Sequence, residues 1–106
     1  MLNLTPHSIS VWSDAETHVV TIPASGLIAR VSVSRTLLRV VDGVPIYATT
    51  TGDVVGLPGG ADGVSLIVSA MVRCSLPGRK DLLSPGDLLR NDKGQPVGCL
   101  GLVANR

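Results

Sequence analysis

Thr36-Leu37-Leu38-Arg39-Val40-Val41 and Val44-Pro45-Ile46-Tyr47-Ala48-Thr49-Thr50-Thr51 are two strand-like runs joined by Asp42-Gly43. Asp-Gly between β-rich runs is the strongest short-range hairpin signal, because both central residues of the favoured turn need positive φ. Pro45 has no backbone N–H, so the returning run begins at an edge or entry position. Outward from this hairpin the period of two persists. Ile28, Arg30, Ser32 and Ser34 share one face of an alternating segment. Thr17-His18-Val19-Val20-Thr21-Ile22 is β-branched, and Pro23-Ala24-Ser25-Gly26 ends it. His7-Ser8-Ile9-Ser10-Val11-Trp12 alternates polar and apolar. Toward the C-terminus, residues 64–72 suit a buried strand, although Ser69-Ala70-Met71-Val72 could be one helical turn. Pro77-Gly78 and Pro85-Gly86 bracket residues 79–84, residues 87–90 look like a short strand and residues 95–103 like a last strand. Leu57-Pro58-Gly59-Gly60-Ala61-Asp62-Gly63 reads as a surface loop that lacks the phosphate-loop pattern. Residues 1–106 are therefore expected to form one all-β domain, a compact small barrel or sandwich of seven to nine short strands with little helix.

Composition narrows the functional classes. The chain has 106 residues, 44% hydrophobic and only 16% charged, with Trp12 and Tyr47 as its aromatics and no Phe. Mean hydropathy is +0.39. Such a chain is too apolar to be disordered, yet it has no run long enough for a membrane span. Its N-terminus lacks the basic and apolar segments of a signal peptide, so a cytosolic protein is expected. Nine Lys and Arg are interleaved with eight Asp and Glu, giving a net charge of +1. No basic stripe for nucleic acid emerges. Cys74 and Cys99 form no C-x-x-C pair and lie in apolar runs, as expected of two buried free thiols. Too few Cys and His are present for a zinc site of standard spacing, and no cofactor or metal is expected.

The polar candidates fall in clusters. Asn3, Thr5 and His7 occupy alternate positions and would share a face in an extended segment. Together they offer donors, acceptors and an imidazole, for a binding face or for a polar edge strand that satisfies nearby backbone. Ser25 and Gly26 could cradle an anion with their amides, and Arg30 lies on a largely apolar strand. Its partner is a carboxylate such as Asp81 or Asp87, or an anionic ligand. Arg79, Lys80, Asp81, Asp87 and Arg90 lie within twelve residues, as a salt-bridge network or a charged site. Neither G-x-S-x-G nor H-E-x-x-H occurs.

Asn3-Leu4-Thr5-Pro6-His7, Ile22-Pro23-Ala24-Ser25-Gly26 with Ala29-Arg30-Val31, Gly56-Leu57-Pro58, Ile67-Val68-Ser69, Pro77-Gly78-Arg79-Lys80-Asp81 and Pro85-Gly86-Asp87-Leu88-Leu89-Arg90 followed by Gly98-Cys99 occur in this order. Together they resemble a family of small uncharacterised proteins of tailed phages and prophages, over residues 3 to about 101. Ala24 departs from that family's usual I-P-P-S-G. The resemblance implies an accessory phage protein in the host cytoplasm, with Asn3, Thr5, His7, Ser25, Arg30, Ser69, Arg79, Asp81 and Arg90 as candidate ligand-binding residues. Arg, His, Ser and Thr suit phosphate and ribose groups. The expected function is non-catalytic capture of a small anionic ligand of the cyclic-nucleotide or ADP-ribose type, as an anti-defence protein. A virion or assembly component, or a small hydrolase using His7 with Asp81 or Asp87, are the alternatives. A chain this short buries only about 65% of its unfolded surface, so this composition also predicts a homo-oligomer, with pockets between subunits.

Overall fold

The computed structural model describes residues 1–59 and 63–106. It is mainly β. The elements are β1 (Leu2–Asn3), β2 (Ile9–Asp14), β3 (Thr17–Ile22), β4 (Arg30–Val41), β5 (Val44–Val55), β6 (Leu66–Ile67), α1 (Ala70–Ser75), β7 (Leu82–Arg90) and β8 (Pro96–Ala104). Six strands form one sheet in the order β1-β6-β7-β8-β2-β3, and β4 with β5 forms a second. The larger sheet is barrel-like and nearly closed. Its two edge strands meet where the Asn3 side chain donates to the Ile22 carbonyl (3.0 Å) and the Ser25 amide donates to the Asn3 carbonyl (3.1 Å).

The core lies where β1, β6, β7 and α1 converge on the root of the ribbon. Leu4, Ala29, Leu66, Val68, Val72 and Leu82 form it, with Leu2, Val31, Val54, Leu57 and Leu76 packed around them. Short aliphatic side chains fill this space in place of aromatics. Ile67, Val11 and Cys99 are buried outside that cluster. The apolar run over residues 64–72 does not stay a strand. Only Leu66 and Ile67 join the ladder. Ser69 then accepts the Val72 amide on its hydroxyl (3.3 Å) and caps a helix of six residues. A serine hydroxyl at this position satisfies an amide that has no partner inside the helix.

β7 also departs from the sequence reading. It passes through Pro85-Gly86 without turning, with Pro85 opposite Leu102 and Asp87 opposite Leu100. Gly86 permits this, because a Cβ there would collide with the Leu100 carbonyl oxygen. Pro-Gly thus serves close strand approach here and not a turn. Cys99 is buried as expected, but Cys74 is exposed, since α1 turns only Val72 fully inward. Both thiols are free. The loop expected over residues 57–63 includes positions 60–62, which lie outside the described residues.

β4 and β5 form a ribbon of twelve residues a side, closed by Asp42 (φ 50°) and Gly43 (φ 77°). Those angles belong to the turn that the sequence signals. Such strands run roughly 40 Å. The ribbon packs at its root, through Val31 and Val54, and extends from there. Hence the radius of gyration is 16.6 Å, against about 13 Å for a compact chain of 100 residues.

Candidate functional site

The N-terminal motif is built around one amide. β1 ends at Asn3, so Asn3, Thr5 and His7 do not alternate along a strand. Instead the chain bends around the Asn3 side chain, which is 1% exposed. Asn3 Oδ1 accepts from the Thr5 amide (3.0 Å) and lies 2.7 Å from Thr5 Oγ1, while Nδ2 donates to the carbonyls of His7 (2.9 Å) and Ile22 (3.0 Å). An asparagine side chain offers two donors and two lone pairs. All four are engaged within the chain. Ser25 joins this cluster through its backbone, and its hydroxyl closes a small turn with the Leu27 amide (3.2 Å). Of the four polar side chains brought together here, the His7 imidazole faces outward.

The arginines are dispersed. Arg79 grips Asp81 with two parallel hydrogen bonds, Nε to Oδ1 at 2.9 Å and Nη2 to Oδ2 at 2.7 Å. The Arg79 hydrogen bond holds the Asp81 carboxyl below its ordinary value, and the same bond raises Arg79. Asp81 is thus engaged by Arg79 and not by Arg30. Arg30 is exposed at the ribbon root and makes no side-chain hydrogen bond among the described residues. Ser69 is the helix cap already described. Arg90 ends β7 and donates from Nη1 to the Gly94 carbonyl (2.7 Å), which closes the β7–β8 turn.

Two concavities lie on the larger sheet. The first, about 470 Å³, is walled by His7, Ile9, Ser10 and Thr21 on one side and by Pro85, Leu88 and residues 96–99 on the other. Its lining is mostly apolar. Two of its lining hydroxyls, Ser10 Oγ and Thr21 Oγ1, stand 2.8 Å apart, and Thr21 Oγ1 lies 3.0 Å from Nε2 of His18 outside the lining. The second, about 340 Å³, is lined by Trp12, Ala15, Leu89, Arg90, Asn91, Asp92 and Val97. Val97 belongs to both. Trp12 meets the His18 ring edge-on at 5.2 Å. Its indole lies against Gly98, where a Cβ would stand 2.7 Å from Nε1. That indole N–H is buried and has no partner among the described residues. Of the nine candidate residues, His7 reaches the first concavity and Arg90 the second.

Sequence reading missed a second polar knot. Arg73 donates from Nε to the buried Ser84 hydroxyl (2.8 Å) and from Nη1 to Asn105 Oδ1 (3.0 Å). Asn105 Nδ2 lies within reach of the carbonyls of Leu76 (2.9 Å), Arg79 (3.0 Å) and Arg73 (3.3 Å), where α1 ends. These partners are up to 32 residues apart, and no local pattern announces them. Ser10, Thr21 and His18 were missed for the same reason, because only strand register unites them.

Among the described residues, no group of three His, Cys, Asp or Glu is placed to hold a metal ion, and no helix is long and apolar enough to cross a membrane. No family model, curated protein or solved structure matches this chain. Fold and geometry by themselves establish a small, mainly β, barrel-like protein with two adjoining concavities on its sheet.

Proposed function

We propose that this protein binds a small anionic ligand without transforming it, and that the ligand is a signal nucleotide of the cyclic or ADP-ribose type. The supporting observation is the pair of concavities that adjoin at Val97. Ligand sites are typically apolar hollows of about 300–1,000 Å³ with a few converging polar groups. The larger hollow has that size, with His7, Ser10 and Thr21 as its polar groups. The smaller one adds an indole, a guanidinium and the Asn91 amide. Indole and guanidinium both stack on bases, and guanidinium also grips phosphate. In this reading Arg90 neutralises the anion and His7 with the hydroxyls holds the sugar.

Capture fits the chemistry better than turnover. The hydrolase alternative needs Asp81 or Asp87 beside His7; the Asp81 carboxylate is engaged by Arg79, and Asp87 does not line the hollow that His7 enters. An accessory phage protein of this kind would act in the host cytoplasm by withdrawing a defence signal. Calorimetric titration with a panel of cyclic nucleotides and ADP-ribose derivatives tests the reading. Binding with Kd below 1 mM is expected for at least one of them, weakened about tenfold in Arg90→Ala, a loss of about 1.4 kcal/mol. The released ligand should be chromatographically unchanged. Absence of any binding at millimolar concentration overturns the reading.

The projecting ribbon favours one second reading, an assembly component of a phage particle. Mass spectrometry of purified particles separates the two, because a sequestering protein is absent from them.

A further inference from the structure

The smaller hollow on the sheet holds a cation and an anion that do not pair. Arg90 and Asp92 both line it, yet Arg79–Asp81 is the one salt bridge among the described residues. The turn between β7 and β8 sets this up. Asn91 Oδ1 accepts the amides of Lys93 and Gln95 (3.0 Å each), and the Gly94 amide donates to the Asn91 carbonyl (2.9 Å). Arg90 adds its bond from Nη1 to the Gly94 carbonyl. These bonds hold the turn from within, and the Asp92 carboxylate takes part in none of them. It stands exposed beside the hollow. A carboxylate offers acceptors only, on two oxygens side by side.

We propose, on the nucleotide reading above, that this hollow is a base subsite selecting guanine, with the Asp92 carboxylate accepting from N1–H and the N2 amino group of the base. Charge argues for this first. One phosphate satisfies Arg90, and a second anionic group would be repelled by Asp92. What lies against Asp92 is therefore neutral and rich in donors. Base chemistry argues for it second. Guanine sets two N–H donors side by side on one edge. Adenine and cytosine set a ring-nitrogen acceptor beside the amino group, and uracil flanks its N–H with carbonyls, so each would turn a lone pair toward one carboxylate oxygen. The walls argue for it third. The hollow, about 340 Å³, has room for one base, and its indole and guanidinium are groups on which bases stack.

Trp12 is the single tryptophan of the chain, so its fluorescence reports on this hollow. Titration with cyclic mono- and dinucleotides carrying guanine, hypoxanthine or adenine tests the assignment. Hypoxanthine keeps the N1–H of guanine and lacks its amino group. A hydrogen bond to a charged group is worth about tenfold in affinity or more. Guanine ligands should therefore bind at least tenfold tighter than hypoxanthine ligands, those in turn tighter than adenine ligands, and binding should change Trp12 emission. Asp92→Asn exchanges one acceptor for a donor at an exposed turn position. It should keep the circular dichroism of the parent, bind guanine ligands at least tenfold more weakly and leave adenine ligands unaffected, whereas Arg90→Ala should weaken all three alike. If the Asp92 variant does not fold, the comparison of guanine with hypoxanthine on the parent decides alone. Equal affinities for the three bases, or a preference for adenine, overturn the guanine assignment and leave capture of a nucleotide standing. Guanine binding that leaves Trp12 emission unchanged overturns it as well. If no nucleotide of any base binds, the capture reading falls and the subsite falls with it.

Discussion

The barrel-like sheet and the β4–β5 ribbon use the same aliphatic residues and treat them oppositely. Leu66, Ile67 and Val68 are 0–3% exposed, whereas Leu37, Leu38 and Val40 are 53–59% exposed. Local pattern cannot account for this, because both regions are β-rich and built largely from aliphatic side chains. What differs is what each is folded against. The short strand β6 sits between β1 and β7, so both of its side chains meet protein. The long strands β4 and β5 meet only each other beyond their root. Strand propensity therefore sets the backbone, while topology decides which apolar surface is left exposed.

The sharpest way to break that comparison is to truncate one leucine in each region. Leu82→Ala removes a fully buried side chain from the core and is expected to cost about 2–5 kcal/mol. Leu37→Ala removes the same atoms from an exposed site and should cost less than about 0.5 kcal/mol. Urea unfolding at low protein concentration measures both. Equal costs would mean that the ribbon is packed in the monomer, against everything its exposure implies.

Next in size is the closure of the sheet. Asn3→Ala leaves the Thr5 amide and the Ile22 carbonyl without their partner, while the His7 carbonyl keeps the Thr5 hydroxyl (3.0 Å). At about 1–3 kcal/mol for each buried group left unpaired, with Thr5 partly rescued by water, a loss of about 2–4 kcal/mol is expected. Asn3→Asp should be little better, since it keeps the shape but loses both donors and buries a charge. Thermal unfolding of the two variants checks this, and a near-neutral Asn3→Ala would show that the edge strands hold together without it. Asn105→Ala tests the knot at the end of α1. It removes the cap on the helix carbonyls and one partner of Arg73, at a cost of about 1–2 kcal/mol. Amide exchange over residues 70–76 should quicken selectively.

Much of this contrast was legible beforehand. Asp42-Gly43 gave away the hairpin because its turn chemistry is local, and alternation gave away the mainly β fold. The excess of apolar residues was legible too, as surface left uncovered, although not as a ribbon. Polar roles were harder to read. Asn3, Thr5 and His7 look like a ligand-facing set because they are polar at alternate positions, but an asparagine amide is also the best staple for backbone. Nothing in the sequence separates those uses until Ile22 arrives from nineteen residues away. Pro85-Gly86 is ambiguous for a related reason. Glycine signals a turn or a close approach, and only the Leu100 carbonyl across the ladder decides which. His18, Thr21 and Ser10 carry no motif, since they come together only in the register of β2 against β3.

The smallest expected effect concerns the Arg79–Asp81 pair, whose members are 31% and 22% exposed. Pairs so near solvent contribute about 0.2–1 kcal/mol. Its signature is the pH dependence more than the size. Arg79 holds the folded-state pKa of Asp81 below the ordinary carboxylate value. A group depressed in this way stabilises the fold above its unfolded pKa, near 3.9, and loses that contribution as pH falls through the folded value. Asp81→Asn should therefore be less stable than the parent by a constant amount at neutral pH. The two curves should converge below about pH 4 and coincide once the parent carboxylate is protonated. Both residues lie in the turn between α1 and β7, so this loss belongs to the barrel-like sheet. Denaturant midpoints from pH 7 down to about pH 2.5 read this dependence. A variant whose deficit persists undiminished at the acid end would show that the pair acts through shape and not through charge.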